Sequence, residues 1–88
     1  MMSHINRFVF WINCDFAAIR VSQNKEIFDE FKVSDIEYYY IIPAHELAEH
    51  NIKFKSNVED DELVLVIIFK DGSYKGYSLA RHSMSFLY

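Results

Sequence analysis

The chain has 88 residues, 51% hydrophobic and 25% charged, with only two Gly and one Pro, which excludes a disordered or low-complexity chain and predicts a single globular domain over residues 1–88. Its longest apolar run, Leu63–Phe69, is too short to span a membrane, and its first residues, MMSHINRFVF, lack the regions of a secretory signal, so a cytoplasmic protein with no membrane partner is expected. A net charge of −4 disfavours direct nucleic-acid binding, and a lone cysteine, Cys14, excludes an internal disulfide framework or a multi-cysteine zinc site.

Arg7–Asn13 (RFVFWIN) is rich in aromatic and β-branched residues and reads as a strand. Its nearly continuous apolar character predicts a central strand, or one covered on both faces. Asn13-Cys14-Asp15 has turn chemistry. Phe16–Ser22 (FAAIRVS) reads as a second strand pairing back on the first; the competing reading is a helix capped by Asp15 and favoured by Ala17 and Ala18. Gln23–Lys32 (QNKEIFDEFK) reads as a helix, because Ile27, Phe28 and Phe31 form one apolar stripe and Ser22 or Asn24 can cap it. Ser34-Asp35 ends that pattern.

Ile36–Ile42 (IEYYYII) reads as a strand with Ile36, Tyr38, Tyr40 and Ile42 on one face and Glu37, Tyr39 and Ile41 on the other. Pro43 cannot continue a central strand but suits a first helical turn, so Pro43–His50 reads as a short helix ending near Asn51. Ile52–Lys55 alternates apolar and basic residues like a protected edge strand, and Ser56–Glu62 is an acidic loop. Leu63–Lys70 (LVLVIIFK) belongs in the middle of a sheet. Asp71-Gly72 predicts a two-residue hairpin turn between Lys70 and Ser73, with Gly72 at positive φ and Ser73–Leu79 returning antiparallel. The tail, Ala80–Tyr88, is ambiguous: Met84, Phe86 and Tyr88 alternate with Ser83, Ser85 and Leu87, a pattern compatible with a final strand. The sum is an α+β fold: a mainly antiparallel sheet of four to six strands with two short helices.

Few residues have the spacing of a reactive centre. His45-Glu46-Leu47-Ala48-Glu49-His50 misses the HExxH zinc motif by one residue, which sets the two histidines about 140° apart at 100° per residue of an α-helix. They read as surface polar residues, with a His45/Glu49 or Glu46/His50 pair the weaker metal-site alternative. Cys14 reads as a buried small residue at a strand end, since no histidine neighbours it in sequence. Asp35 and Glu37 place two acids on one strand face, as in metal-dependent nucleases, but no lysine follows closely. Tyr38, Tyr39, Tyr40, Tyr74 and Tyr77 lack the interleaved basic residues of a base-stacking sheet and read as packing or protein-contact residues.

Charge is polarised along the chain. Residues 26–62 carry eleven carboxylates against Lys32, Lys53 and Lys55, a net −8, while the remainder carries +4. Glu59-Asp60-Asp61-Glu62 is its sharpest feature: four adjacent carboxylates repel one another and favour an extended, solvated loop. Such a run either solubilises the chain or mimics phosphates toward a basic partner; the spacing of a calcium loop is missing. Eight Phe, six Tyr and one Trp also exceed what a small interior holds, so some rings are expected at the surface.

These features together suggest a small acidic protein-binding module without enzymatic activity or cofactor. It would occupy a basic surface of a larger protein, such as a nucleic-acid enzyme, as an inhibitor or antagonist of the anti-CRISPR, anti-restriction or immunity type. Glu59, Asp60, Asp61, Glu62, Asp35, Glu37 and Tyr39 would carry the contact, and reversing the four loop charges would leave the melting temperature nearly unchanged. Two alternatives stand beside it. One is a small metal-dependent hydrolase or nuclease using His45, Glu49, His50 or the Asp35/Glu37 pair. The other is a self-associating structural subunit, a homodimer built on exposed rings and the C-terminal strand.

Overall fold

The computed structural model describes residues 7–54 and 59–80. Among these, six strands form two three-stranded antiparallel sheets. The first, sheet A, runs in the order β1 (Phe8–Ile12), β2 (Phe16–Val21), β3 (Ile27–Lys32). The second, sheet B, runs β4 (Ile36–Pro43), β5 (Leu63–Phe69), β6 (Tyr74–Ser78). Helical structure among the described residues is confined to two 3-10 segments, Val33–Asp35 and Ala44–His50. The expected α+β fold with one sheet of four to six strands is therefore corrected to a mostly β fold with two smaller sheets.

The segment read as a helix, Gln23–Lys32, is the clearest reversal. Asn24 Oδ1 accepts the Glu26 N–H, Lys25 takes a left-handed φ of 63°, and Lys25 N–H and Glu26 C=O both bond to Val21. That turn folds the chain back, and Ile27–Lys32 pairs with β2 from Arg20↔Ile27 to Phe16↔Lys32. A bulge at Ile19/Arg20 lets Phe28 turn inward onto Phe8, at 4.8 Å between ring centroids. Pairing with a neighbouring strand outweighs a weak local helical stripe. Ala17, Ala18 and Ile19 are buried in β2, which is the central strand of its sheet. β1 is an edge strand and not a central one, and Trp11 on its outer face is 54% exposed.

β5 does occupy the centre of its sheet, and Val64, Leu65, Val66 and Ile67 are fully buried. Its two faces enter different cores. Leu65 and Ile67 join Phe8, Phe10, Ala17, Ile19, Ile36, Tyr77 and Leu79 between the two sheets. Val64 and Val66 join Leu47 and Ile52 on the far side, with Tyr40, Ile42 and Phe54 packed against them. At roughly 1.5–3 kcal/mol per buried aliphatic side chain, this strand is the principal source of hydrophobic stabilisation. Ile52–Phe54 is not an edge strand but an irregular cover over sheet B; Lys55 lies outside the described residues.

β4 departs from plain alternation. A bulge between Ile36 and Tyr38 puts Ile36 on the same side as Ile41, in the inter-sheet core, while Tyr40 and Ile42 face the other core. The expected grouping of Ile36 with Tyr38, Tyr40 and Ile42 is thereby corrected. The β5–β6 hairpin is one residue longer than the sequence suggests. Gly72 N–H bonds to Phe69 C=O and Phe69 N–H to Ser73 C=O, so Lys70-Asp71 form the turn and Gly72, at φ 92°, is the bulge residue that closes it. The two sheets also meet at a corner: Phe8 bridges Leu79 in parallel, and Ala80 N–H bonds to Phe8 C=O at 2.9 Å.

Candidate functional site

The acidic run is a folded turn and not an extended loop over Glu59–Glu62. Glu62 N–H donates to Glu59 C=O at 3.0 Å, and Glu62 Oε1 accepts the Glu59 N–H at 2.9 Å. The turn is fastened to the start of the Ala44–His50 segment, where Ala44 N–H donates to Glu62 C=O and His45 N–H to Asp60 C=O. Glu62 itself is not displayed. Its carboxylate meets Arg7 at 2.7 Å between Nη2 and Oε2, accepts a second contact from the same nitrogen at Oε1, and accepts the Ser78 hydroxyl at 3.3 Å. One half-buried carboxylate thus joins the entry to β1, the end of β6 and the turn before β5. Arg7 offsets part of the like-charge repulsion that the run would otherwise suffer. Glu59, Asp60 and Asp61 remain exposed.

The other expected contact residues lie elsewhere. Asp35 closes the Val33–Asp35 segment, and its carbonyl accepts the Lys70 N–H. Glu37 sits at the β4 bulge and is exposed. Tyr39 is 40% exposed and packs edge-on against Phe10 at 5.0 Å. Asp35 and Glu37 belong to the start of β4 and Tyr39 to its middle, whereas the Glu59–Glu62 turn adjoins its end, where Pro43 pairs with Leu63. At roughly 3.3 Å per residue, Glu37 lies about 20 Å along β4 from that end and Tyr39 about 13 Å from it. Asp35 and Glu37 therefore do not form one patch with Glu59–Asp61, and Asp29 and Glu30 of the acidic half lie in sheet A.

His45 and His50 are both exposed, and in a 3-10 segment with three residues per turn they point a third of a turn apart. His50 instead packs on Tyr40 at 5.0 Å, and Tyr40 on Tyr38 at 6.2 Å. Burial, then the neighbouring Tyr38, pushes the Tyr40 hydroxyl above the ordinary tyrosine pKa. Among the described residues no group of three or more His, Cys, Asp or Glu is arranged to hold a metal ion. Cys14 lies exposed in the β1–β2 turn, which Asn13 Oδ1 shapes by accepting the Asp15 and Phe16 N–H groups; the expectation of a buried cysteine is corrected. No helix among the described residues is long and apolar enough to cross a membrane.

Sequence reasoning missed two features. Trp11, Phe16 and Ile27 lie exposed on the outer face of sheet A, the first two diagonally placed across Ala18. Strand alternation in β1, with Val9 and Trp11 opposite Phe8, Phe10 and Ile12, was the signal for the first of them. The second is Tyr77, which reaches from sheet B to donate its hydroxyl to Asp29 Oδ2 of sheet A at 2.6 Å. No local pattern announces a pair 48 residues apart. Comparison with protein-family models, curated proteins and solved structures finds no match for this chain, so its functional reading rests on its own residues.

Proposed function

We propose that the chain is a protein-binding module that occupies a basic surface of a larger protein, such as a nucleic-acid enzyme, as an inhibitor or antagonist of the anti-CRISPR, anti-restriction or immunity type. The observation that carries this reading is the anchored turn. Glu62 is spent on Arg7, Ser78 and the Glu59 N–H, and its engagement holds Glu59, Asp60 and Asp61 exposed on a fixed backbone. Pre-ordered carboxylates meet a cationic surface without the entropy loss that a flexible loop would suffer on binding. Asp35 and Glu37, with Tyr39 further along β4, are separate from this turn and are tested independently.

Affinity capture with immobilised chain, repeated at low and high salt, tests this. A protein with a basic surface is expected to be retained at low salt, released at high salt, and lost from the E59K/D60K/D61K variant. Identical capture by the wild type and that variant would remove the assignment of these three residues. Asp35→Lys and Glu37→Lys variants provide that test in the same assay.

A further inference from the structure

The outer edge of β3 carries a self-complementary charge pattern. In β3 the residue facing β2 alternates with the residue facing away. Val33 N–H bonds to Asp15 C=O and Phe31 pairs with Ala17, so Asp29, Phe31 and Val33 direct their backbone groups toward β2. Alternation leaves the N–H and C=O of Glu30 and Lys32 directed away from the sheet. Among the described residues β3 pairs with β2 alone. The side chains of Glu30 and Lys32 stand on the outer face of sheet A, in register with Ala18 and Phe16, and both residues are exposed. An open edge strand is a template for pairing with another chain unless something blocks it, and edge charges are the usual block.

Here the block has two signs, two residues apart, and that spacing is complementary to itself. From it we propose that two copies of this chain pair antiparallel along β3, with Glu30 of each copy opposite Lys32 of the other, joining their first sheets into one continuous sheet. Two-fold antiparallel pairing requires outward-directed residues to face one another as hydrogen-bonded pairs; an axis at Lys32 opposes two ammonium groups, and one at Phe28 or Asp29 centres on the bulge, which leaves two registers over this strand. One sets Glu30 opposite Glu30 and Phe28 opposite Lys32. It brings two carboxylates into direct opposition, and it recruits Phe28, the bulge residue whose ring is already packed against Phe8 and Tyr77. The other places Phe31 on the two-fold axis and pairs Glu30 with Lys32 twice. It uses only the regular stretch beyond the bulge, and each pair exchanges both backbone bonds. Charge and backbone geometry select the same register.

Sedimentation equilibrium on the full chain tests the pairing. The wild type is expected to approach twice its 10.5 kDa mass with rising concentration. E30K and K32E each replace two attractive pairs by two repulsive ones, and each is expected to raise the dimer dissociation constant by about tenfold or more. Mixing E30K with K32E restores opposite charges at every pair, and the double variant E30K/K32E does so within one chain; both are expected to return the wild-type association. Restoration on mixing also shows that each single variant is folded. A wild type that stays monomeric throughout overturns the proposal. So does a dimer indifferent to E30K and K32E, or one that neither mixing nor the double variant restores.

Discussion

Arg7 and Glu62, 55 residues apart in the chain, meet with Nη2 2.7 Å from Oε2, and this ion pair fixes where the acidic turn begins its approach to β5. Glu62 also receives the Glu59 N–H and the Ser78 hydroxyl, so its loss removes one acceptor from three donors. Glu62→Ala is expected to cost about 1–3 kcal/mol, because the part-buried bonds from Arg7 and Ser78 are lost with the carboxylate. Thermal melts followed by circular dichroism check this: Glu62→Ala is expected to lower the midpoint by several degrees. Asp60→Ala and Asp61→Ala, at exposed positions, are expected to leave it nearly unchanged. The four residues of one acidic run thus divide into one that holds the fold and three that do not.

Tyr77 couples stability to alkaline pH. Burial, and then the hydrogen bond to Asp29 and its negative charge, raise the phenol above the ordinary tyrosine range. A raised pKa in the folded state means that the contribution is complete below the unfolded value of about 10 and declines as pH rises above it. Tyr77→Phe removes both the hydroxyl and this dependence, at an expected cost of about 1–2 kcal/mol near neutral pH. Denaturant midpoints from pH 8 to 11 compare the two chains. The wild type is expected to lose more stability over that range than Tyr77→Phe. Tyr40, raised by burial and by Tyr38, contributes to both.

Gly76 is required for close approach. A Cβ there would lie 2.9 Å from Phe54 Cδ1, so Gly76→Ala must displace the ring that covers β6. The expected cost is about 1–3 kcal/mol, typical of overpacking. Gly76→Ala combined with Phe54→Ala tests the cause: if the clash is responsible, the two costs are markedly less than additive.

At the hairpin, Asp71 accepts the Ser73 hydroxyl at 2.6 Å and the Ser73 N–H at 2.8 Å. Those bonds hold its carboxyl below the ordinary carboxylate pKa. Because the folded value is depressed, the turn is fully supported above the unfolded pKa and loses support as pH falls through the lowered one. The Ser73 amide resonance, followed by NMR during acid titration, is expected to shift with Asp71 and to lose that step in Asp71→Asn.

Some of this architecture is legible without coordinates. Leu63–Phe69 announces a central strand through its unbroken branched apolar run, Asp71-Gly72 marks the reversal after it, and Pro43 marks where the chain leaves β4. Ile27, Phe28 and Phe31 mislead because a bulged strand also places three apolar residues at those positions, and only pairing with β2 decides between the two. The anchored turn was half visible. The adjacent carboxylates stand in the sequence, but Arg7 and Ser78, which change the role of Glu62, come from other strands. Nothing local reveals that β4 sets Asp35 and Glu37 at the opposite end from Glu59–Asp61.

Glu59, Asp60 and Asp61 are proposed to serve binding, whereas Glu62 is anchored within the fold. Salt-dependent capture by a thermally characterised E59K/D60K/D61K variant tests this division most directly. A near wild-type melting midpoint together with loss of the salt-sensitive partner is expected. A variant that melts normally and still retains that partner at wild-type strength would contradict it.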